Sequence, residues 1–318
     1  MTTPQAPLHS GHGAKTTARE AIGKRDLSGL TALVTGGHAG IGLETTRVLS
    51  DAGATVIVGA RTIEKARPAL AGIARVEIDA LDLFEPASID AFAARFLESG
   101  RPLHILVNNA GIMAPPLARD RRGFESQLAT NHLGHFQLTV RLWPALGKAN
   151  GARVVSLSSR GHRRAGVDFD DPHFERRAYD KWVAYGQSKT ANALFAIALD
   201  ARGEAHRVRA FSVHPGAIIT ELMRSMSDEE RRAAVAAAES EVSGLKTVEQ
   251  GAATTVWCAV STQLDGMGGV YCEDADIAEA VPADFPEPRG VRPWAMDPDL
   301  ADRLWNRSEA WTGARFSA

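Results

Sequence analysis

The most constraining feature of this chain is a five-residue apolar run that passes directly into glycines. Residues 31–35 read TALVT and residues 35–42 read TGGHAGIG. An apolar run this short, ending in glycine, is a buried strand. Glycines at 36, 40 and 42 let backbone approach a ligand closely. The helix predicted for about residues 41–52 would aim its positive N-terminal end at the same spot. Strand, glycine turn and helix together make a site for the pyrophosphate of a dinucleotide.

Strand and helix signals keep alternating after that turn. Strands are predicted at 54–59, 74–78, 103–107, 152–157, 208–213 and 268–271. Helices are predicted at 62–71, 86–99, 122–147, 181–202, 227–240, 247–260 and 298–310. This order predicts an α/β fold, a single doubly wound Rossmann-type domain with a parallel sheet of about seven strands. Residues 1–26 read as a flexible N-terminal arm, 27–272 as the dinucleotide-binding and catalytic domain, and 273–318 as a C-terminal extension packing on it.

Bulk properties exclude several classes. A net charge of -2 gives no reason to expect a nucleic acid or an anionic membrane as partner. No apolar stretch reaches the roughly 20 residues that span a bilayer. The two cysteines, Cys258 and Cys272, lack metal-site spacing and read as free thiols. The ten histidines form no H-E-x-x-H motif, so no metal site is expected. These readings predict a soluble, cytoplasmic protein acting on a small molecule.

Residues 185–189 read YGQSK on a predicted helix. Positions i and i+4 share a helical face, so the Tyr185 phenol and the Lys189 ammonium can enter one site. A free phenol has a pKa of about 10, and a nearby ammonium lowers it. The pair is therefore a candidate general acid/base.

With these residues in place, the chain resembles the short-chain dehydrogenase/reductase family, whose signature T-G-x-x-x-G-I-G is matched by Thr35, Gly36, Gly40, Ile41 and Gly42. Further matches follow in the family's order. Asp82 and Leu83 resemble its adenine-contacting pair, and Asn109, Ala110 and Gly111 fall in its NNAG loop. Pro215, Gly216, Ile218 and Thr220 resemble the segment that holds the nicotinamide carboxamide. The resemblance implies that Tyr185 and Lys189 also contact the cofactor, that Asn131 in TNHLGHF supports a proton path, and that a serine at the end of the fifth strand bonds the substrate oxygen. Ser156, Ser158 and Ser159 are available. The pattern selects Ser159, with Ser158 the fallback. His132 and His162 read as solvated or structurally satisfied. The long stretch between Ser159 and Tyr185 and the LWNRSEAW tail resemble the retinol-dehydrogenase-like branch.

An acid near the end of the second strand would mark an NAD site. Here Ala60 occupies that position and Arg61 follows, so NADP(H) is favoured, with His38 a second candidate phosphate contact. The reading is an NADP(H)-dependent oxidoreductase acting on the CH–OH or carbonyl carbon of a small or medium hydrophobic substrate. The alternative is a catalytically inactive NADP(H)-binding regulatory protein. Family analogy implies a homodimer or homotetramer. Residues 160–182 and 221–245 are expected to line the substrate cleft, with the 231–240 helix as a lid.

Overall fold

A computed structural model describes residues 3–239 and 244–317. Eight strands form one sheet: β1 (Thr31–Thr35), β2 (Thr55–Ala60), β3 (Val76–Ala80), β4 (Ile105–Asn108), β5 (Ala152–Leu157), β6 (Val208–His214), β7 (Val270–Glu273) and β8 (Asp276–Ile277). Their order is β3-β2-β1-β4-β5-β6-β7-β8, and all pairs are parallel except β7 with β8. The sheet thus has the seven expected parallel strands plus a two-residue antiparallel edge. The winding direction reverses between β1 and β4, and the carboxyl ends of those strands open the crevice in which such folds bind ligands.

The helices are α1 (Ala18–Ile22), α2 (Gly40–Asp51), α3 (Ile63–Leu70), α4 (Pro86–Glu98), α5 (Ser126–Leu128), α6 (Gly134–Arg141), α7 (Trp143–Lys148), α8 (Lys181–Gly203), α9 (Asp228–Glu239), α10 (Val248–Gly251), α11 (Ala253–Val260) and α12 (Pro298–Thr312). They cover both faces of the sheet. Strand side chains alternate between the faces, so along β1 Leu33 enters one core while Ala32 and Val34 enter the other. The first core collects Phe92 of α4, Phe136 of α6, Leu194 of α8 and Trp305 of α12. The second collects Leu49 of α2 and Trp257 of α11.

Three departures from the sequence reading bear on the site. The helix expected over 122–147 begins only at Ser126. A π-helical turn, Ala129–Leu133, interrupts it, and it breaks again before Trp143, where Pro144 denies the ladder a donor. The N-terminal segment, expected to be a flexible arm to residue 26, is docked. Gln5 Nε2 donates to the carbonyls of Tyr271 (2.8 Å) and Ala278 (2.7 Å), and its Oε1 accepts from Tyr271 N (2.9 Å). Gln5 thereby bridges Tyr271 of β7 to Ala278, the residue after β8, whose amide also bonds the Tyr271 carbonyl at 2.9 Å. Asp276 accepts from the amides of Leu8 (2.8 Å) and Ser10 (3.0 Å), and α1 buries Ala18 and Ile22 in the second core. Finally, residues 160–164 form a 3₁₀ turn that the sequence did not signal.

Candidate active site

The glycine turn is tied to the β4 loop by one hydroxyl. Thr35 Oγ1 accepts from the amides of Asn109 and Ala110, both at 2.9 Å. Asn109 Nδ2 returns a bond to the Thr35 carbonyl at 2.7 Å. A Cβ on Gly42 would stand 2.5 Å from Asn109 Nδ2 and 2.6 Å from the Gly36 carbonyl, so only glycine fits there. Gly36 has φ +64°, a conformation that favours glycine. Ala39, the N-cap of α2, offers no side-chain acceptor, and the first turn carries no acid. The leading amides of this twelve-residue helix therefore have no side-chain partner among the described residues. That donor set, beside glycines that admit close approach, fits a dinucleotide pyrophosphate.

Four predicted residues converge beside this cradle. Asp180 caps α8 by accepting from the amides of Trp182 (2.8 Å) and Val183 (3.0 Å), which fixes the start of the helix carrying Tyr185 and Lys189. Lys189 Nζ lies 5.6 Å from the Tyr185 ring centre and donates to the Leu157 carbonyl at 2.9 Å. A Cβ on Gly111 would stand 3.0 Å from Asn131 Oδ1 and 3.8 Å from Lys189 Nζ, so the NNAG loop, Asn131 and Lys189 share one corner. Asn131 lies in the π turn. It accepts from Ile112 N at 2.9 Å and donates to the Ile112 carbonyl at 3.0 Å and to Ser188 Oγ at 2.9 Å. Ser159 caps the 3₁₀ turn by accepting from Gly161 N at 3.0 Å, and a Cβ on Gly161 would stand 2.8 Å from Tyr185 Cε1 and 3.5 Å from Ser159 Oγ, so the hydroxyl and the phenol ring lie on one side of the turn. Ser158, the fallback, is turned away: its hydroxyl donates to the Lys189 carbonyl at 2.7 Å. Ser156 is buried within β5.

The electrostatics differ from the sequence expectation in one respect. Lys189 was expected to draw the phenol pKa down. Burial instead pushes Tyr185 up to about 12, opposed only by the Ser159 hydroxyl. The same burial pushes Lys189 down to about 8, and its ammonium spends a donor on the Leu157 carbonyl.

The remaining predicted residues ring the crevice. His214 Nδ1 accepts from Arg160 N (3.3 Å), which links β6 to the serine turn. Gly216 has φ +105°, and a Cβ on Gly40 would lie 3.3 Å from Thr220 Cγ2, so the Pro215–Thr220 loop closes over the glycine turn. The side chains of Ile218 and Ile41 both lie against Gly251. Asp82 uses its carboxylate on the Phe84 amide (3.0 Å), and the Leu83 carbonyl lies against Gly134. Ala60 is buried, whereas Arg61 is exposed with no ion pair among the described residues. His38 Nδ1 is buried without a partner among them, and burial lowers its pKa.

The profile of the short chain dehydrogenase family matches residues 30–231. The chain belongs to the short-chain dehydrogenase/reductase family. A "Probable oxidoreductase" of Streptomyces lividans is 47% identical over 88% of this chain and 96% of its own length. "Retinol dehydrogenase 12" of Homo sapiens is 36% identical over 91% of this chain and 88% of its own, which sets the chain in the retinol-dehydrogenase-like branch. The crystal structure of an uncharacterized protein from Mycobacterium paratuberculosis superposes with a TM-score of 0.72 at 31% identity, over 94% of this chain and 98% of that one. As a member of this family the protein is an oxidoreductase using a nicotinamide cofactor, NAD(P)(H). Among the described residues no helix is long and apolar enough to cross a membrane.

Within this short-chain dehydrogenase frame, sequence reasoning missed His135. Its Nδ1 meets the Asn131 carbonyl at 3.0 Å and its Nε2 meets Thr35 Oγ1 at 2.9 Å. A carbonyl only accepts, so Nδ1 carries the proton and Nε2 accepts from Thr35. Burial, first among its causes, pushes His135 down to about 4, keeping it neutral. One imidazole thus joins the glycine turn to the π turn. The available signal was its place four residues after Asn131, one helical turn on.

Proposed function

We propose that this protein is an NADP(H)-dependent oxidoreductase that moves a hydride between nicotinamide and the carbonyl or alcohol carbon of a small or medium hydrophobic substrate. The observation that carries this reading is the convergence of Ser159, Tyr185, Lys189 and Asn131 beside the glycine cradle of α2. Thr35, Gly36, Gly40, Ile41 and Gly42 would hold the pyrophosphate, with Asn109, Ala110 and Gly111 behind it. Asp82 and Leu83 would face the adenine, and Pro215, Gly216, Ile218 and Thr220 the carboxamide. Bound nicotinamide supplies the hydride in reduction.

The chain's own residues handle the proton. Ser159 orients the substrate oxygen, and Tyr185 gives that oxygen its proton as carbon is reduced. A phenol pushed up to about 12 carries its proton at neutral pH, as a proton donor to a carbonyl oxygen must. Lys189 would contact the cofactor and pass a proton from solvent water to the phenol, along the path that Asn131 supports. The substrate side is apolar in part: Ile219, Met223, Val235 and Ala236 line a cavity of about 260 Å³ together with Arg231, Arg232 and Glu239. Lys181 at the start of α8 pairs with Glu230 of α9 at 2.6 Å, holding the 221–239 segment against the site. Residue 240 of the expected lid helix and residues 241–243 of the expected cleft wall lie outside the described residues.

The test is NADPH oxidation with a panel of aldehydes and ketones. Tyr185→Phe should cut turnover by about 10²–10⁴-fold while retaining NADPH binding. Bound NADPH with no turnover of any carbonyl, in wild type as in the mutant, would instead identify a non-catalytic cofactor-binding protein.

A further inference from the structure

His162 grips the serine turn from behind. Its backbone amide (3.1 Å) and its Nδ1 (2.8 Å) both donate to the Ser159 carbonyl. Because a carbonyl only accepts, Nδ1 carries the proton and Nε2 is left as an acceptor. Nε2 accepts from the backbone amide of Arg292 at 3.2 Å. The His162 carbonyl accepts from Trp294 Nε1 at 2.8 Å and from Thr190 on α8 at 3.3 Å. Every polar atom of His162 is therefore committed, half of them to residues more than a hundred positions away.

The distant partners are themselves built rigidly. The Arg292 guanidinium is buried and donates to the carbonyls of Phe285 (2.7 Å), Arg289 (3.2 Å) and Glu287 (3.3 Å). It thereby holds closed the loop between Val281 and Val291, whose backbones pair at 3.1 Å. Glu273 at the end of β7 accepts from Gly290 N at 2.7 Å, which anchors this loop to the sheet. An arginine spent on its own loop's carbonyls stiffens the segment that meets His162. Tyr271 packs against the imidazole at 4.9 Å, and the charges of Arg292 and Arg163 face it.

We propose that the C-terminal segment 278–296 holds the Ser159 hydroxyl in register with Tyr185 through His162, which makes His162 a positioning residue for proton transfer. The proposal rests on the assignment of Ser159 and Tyr185 above. This C-terminal segment thereby stiffens the catalytic turn. Burial keeps His162 neutral at about 4, so the link persists through the neutral range.

Three substitutions test it. His162→Leu deletes both imidazole bonds. His162→Asn restores a donor at the reach of Nδ1 but not the acceptor for Arg292. Trp294→Phe keeps a ring and deletes the indole N–H. Losing one hydrogen bond should lower kcat by about fivefold in Trp294→Phe and by more in His162→Leu, with partial recovery in His162→Asn and unchanged NADPH affinity. The Ser159 hydroxyl holds the Tyr185 pKa down, so the pH limb that reports Tyr185 should move to higher pH in His162→Leu. Ser159, Lys189 and Tyr271 face that phenol and keep their side chains in all three variants. Amide exchange read by mass spectrometry needs no activity: residues 159–164 should exchange faster in His162→Leu and Trp294→Phe, with β5 unchanged. Faster exchange there in a protein that turns over no carbonyl would support the prop and sink the oxidoreductase reading instead. Unchanged exchange in that turn, unchanged kcat in folded His162→Leu, or a kcat loss with a stationary pH limb would overturn the proposal.

Discussion

On the NADP(H) reading proposed above, cofactor choice rests on single residues. Ala60 closes β2 without a carboxylate, so a 2′-phosphate there meets no like charge. Arg61 is exposed and unpaired among the described residues, free to turn toward that phosphate. Exposure also limits what it contributes, because solvent screens the pair. Arg61→Ala should therefore weaken NADPH by about tenfold, the low end for a charge-assisted hydrogen bond, and leave NADH almost unchanged. Ala60→Asp should go further by adding repulsion. Comparing kcat/KM for both cofactors checks this, and a wild type that prefers NADH would refute it. The Y-x-x-x-K spacing and the glycines were legible because each is a local relation: four residues on one helical face, or a turn too tight for a Cβ. The fate of the Lys189 ammonium was not legible. It depends on the Leu157 carbonyl, which only the packing of α8 against β5 delivers.

Elements show the same division between local and assembled causes. The break before Trp143 could be read from Pro144, whereas the π turn could not. In that turn the Asn131 side chain is pinned by Ile112 and Ser188, and the backbone carbonyl of Asn131 by His135. These partners come from the β4 loop, α8 and α6, and no residue type within 129–133 announces them. Such insertions often mark functional sites. The end of β5 is a related case. Three serines follow a clear strand pattern, and family resemblance selected Ser159. The structure supplies a physical contrast: Ser158 faces α8 and caps the Lys189 carbonyl, while Ser159 faces the phenol. Ser159→Ala should lower turnover strongly with little loss of stability. Ser158→Ala should do the reverse, costing about 1 kcal/mol for a lost buried hydrogen bond and sparing most activity. Parallel measurements of kcat and Tm separate the two, and the opposite pattern would place the reacting serine one residue earlier.

For the whole molecule, buried histidines join distant parts. His135 joins the glycine turn to the π turn, His162 joins the serine turn to the C-terminal segment, and His132 meets Ser308 of α12 at 2.7 Å. Trp305 of α12 packs edge-on to Phe136 at 4.9 Å, so the tail belongs to the same core as α6 and α8. Desolvation pushes His132 down to about 3, and His135 and His162 down to about 4. All three are neutral in the folded protein and titrate near 6.5 once unfolded. Below that pH the unfolded chain binds protons that the folded chain refuses, so folding stability is intact above about 6.5 and falls as pH drops toward the folded values. Each such group costs about 1.4 kcal/mol for every pH unit within that window, a large share of the roughly 5–15 kcal/mol that holds a domain folded. Glu125 and Glu273 act in the opposite sense, because burial raises both and protonation then favours the folded state as pH falls. Tm should therefore fall steeply between pH 6.5 and 5. His132→Gln keeps a polar end near Ser308 and removes one titrating group, so its Tm should depend less on pH across the same interval. A wild-type Tm that stays level from pH 7 to 5 would mean that these imidazoles take up protons in the folded state, and that the links drawn through them tolerate a charge.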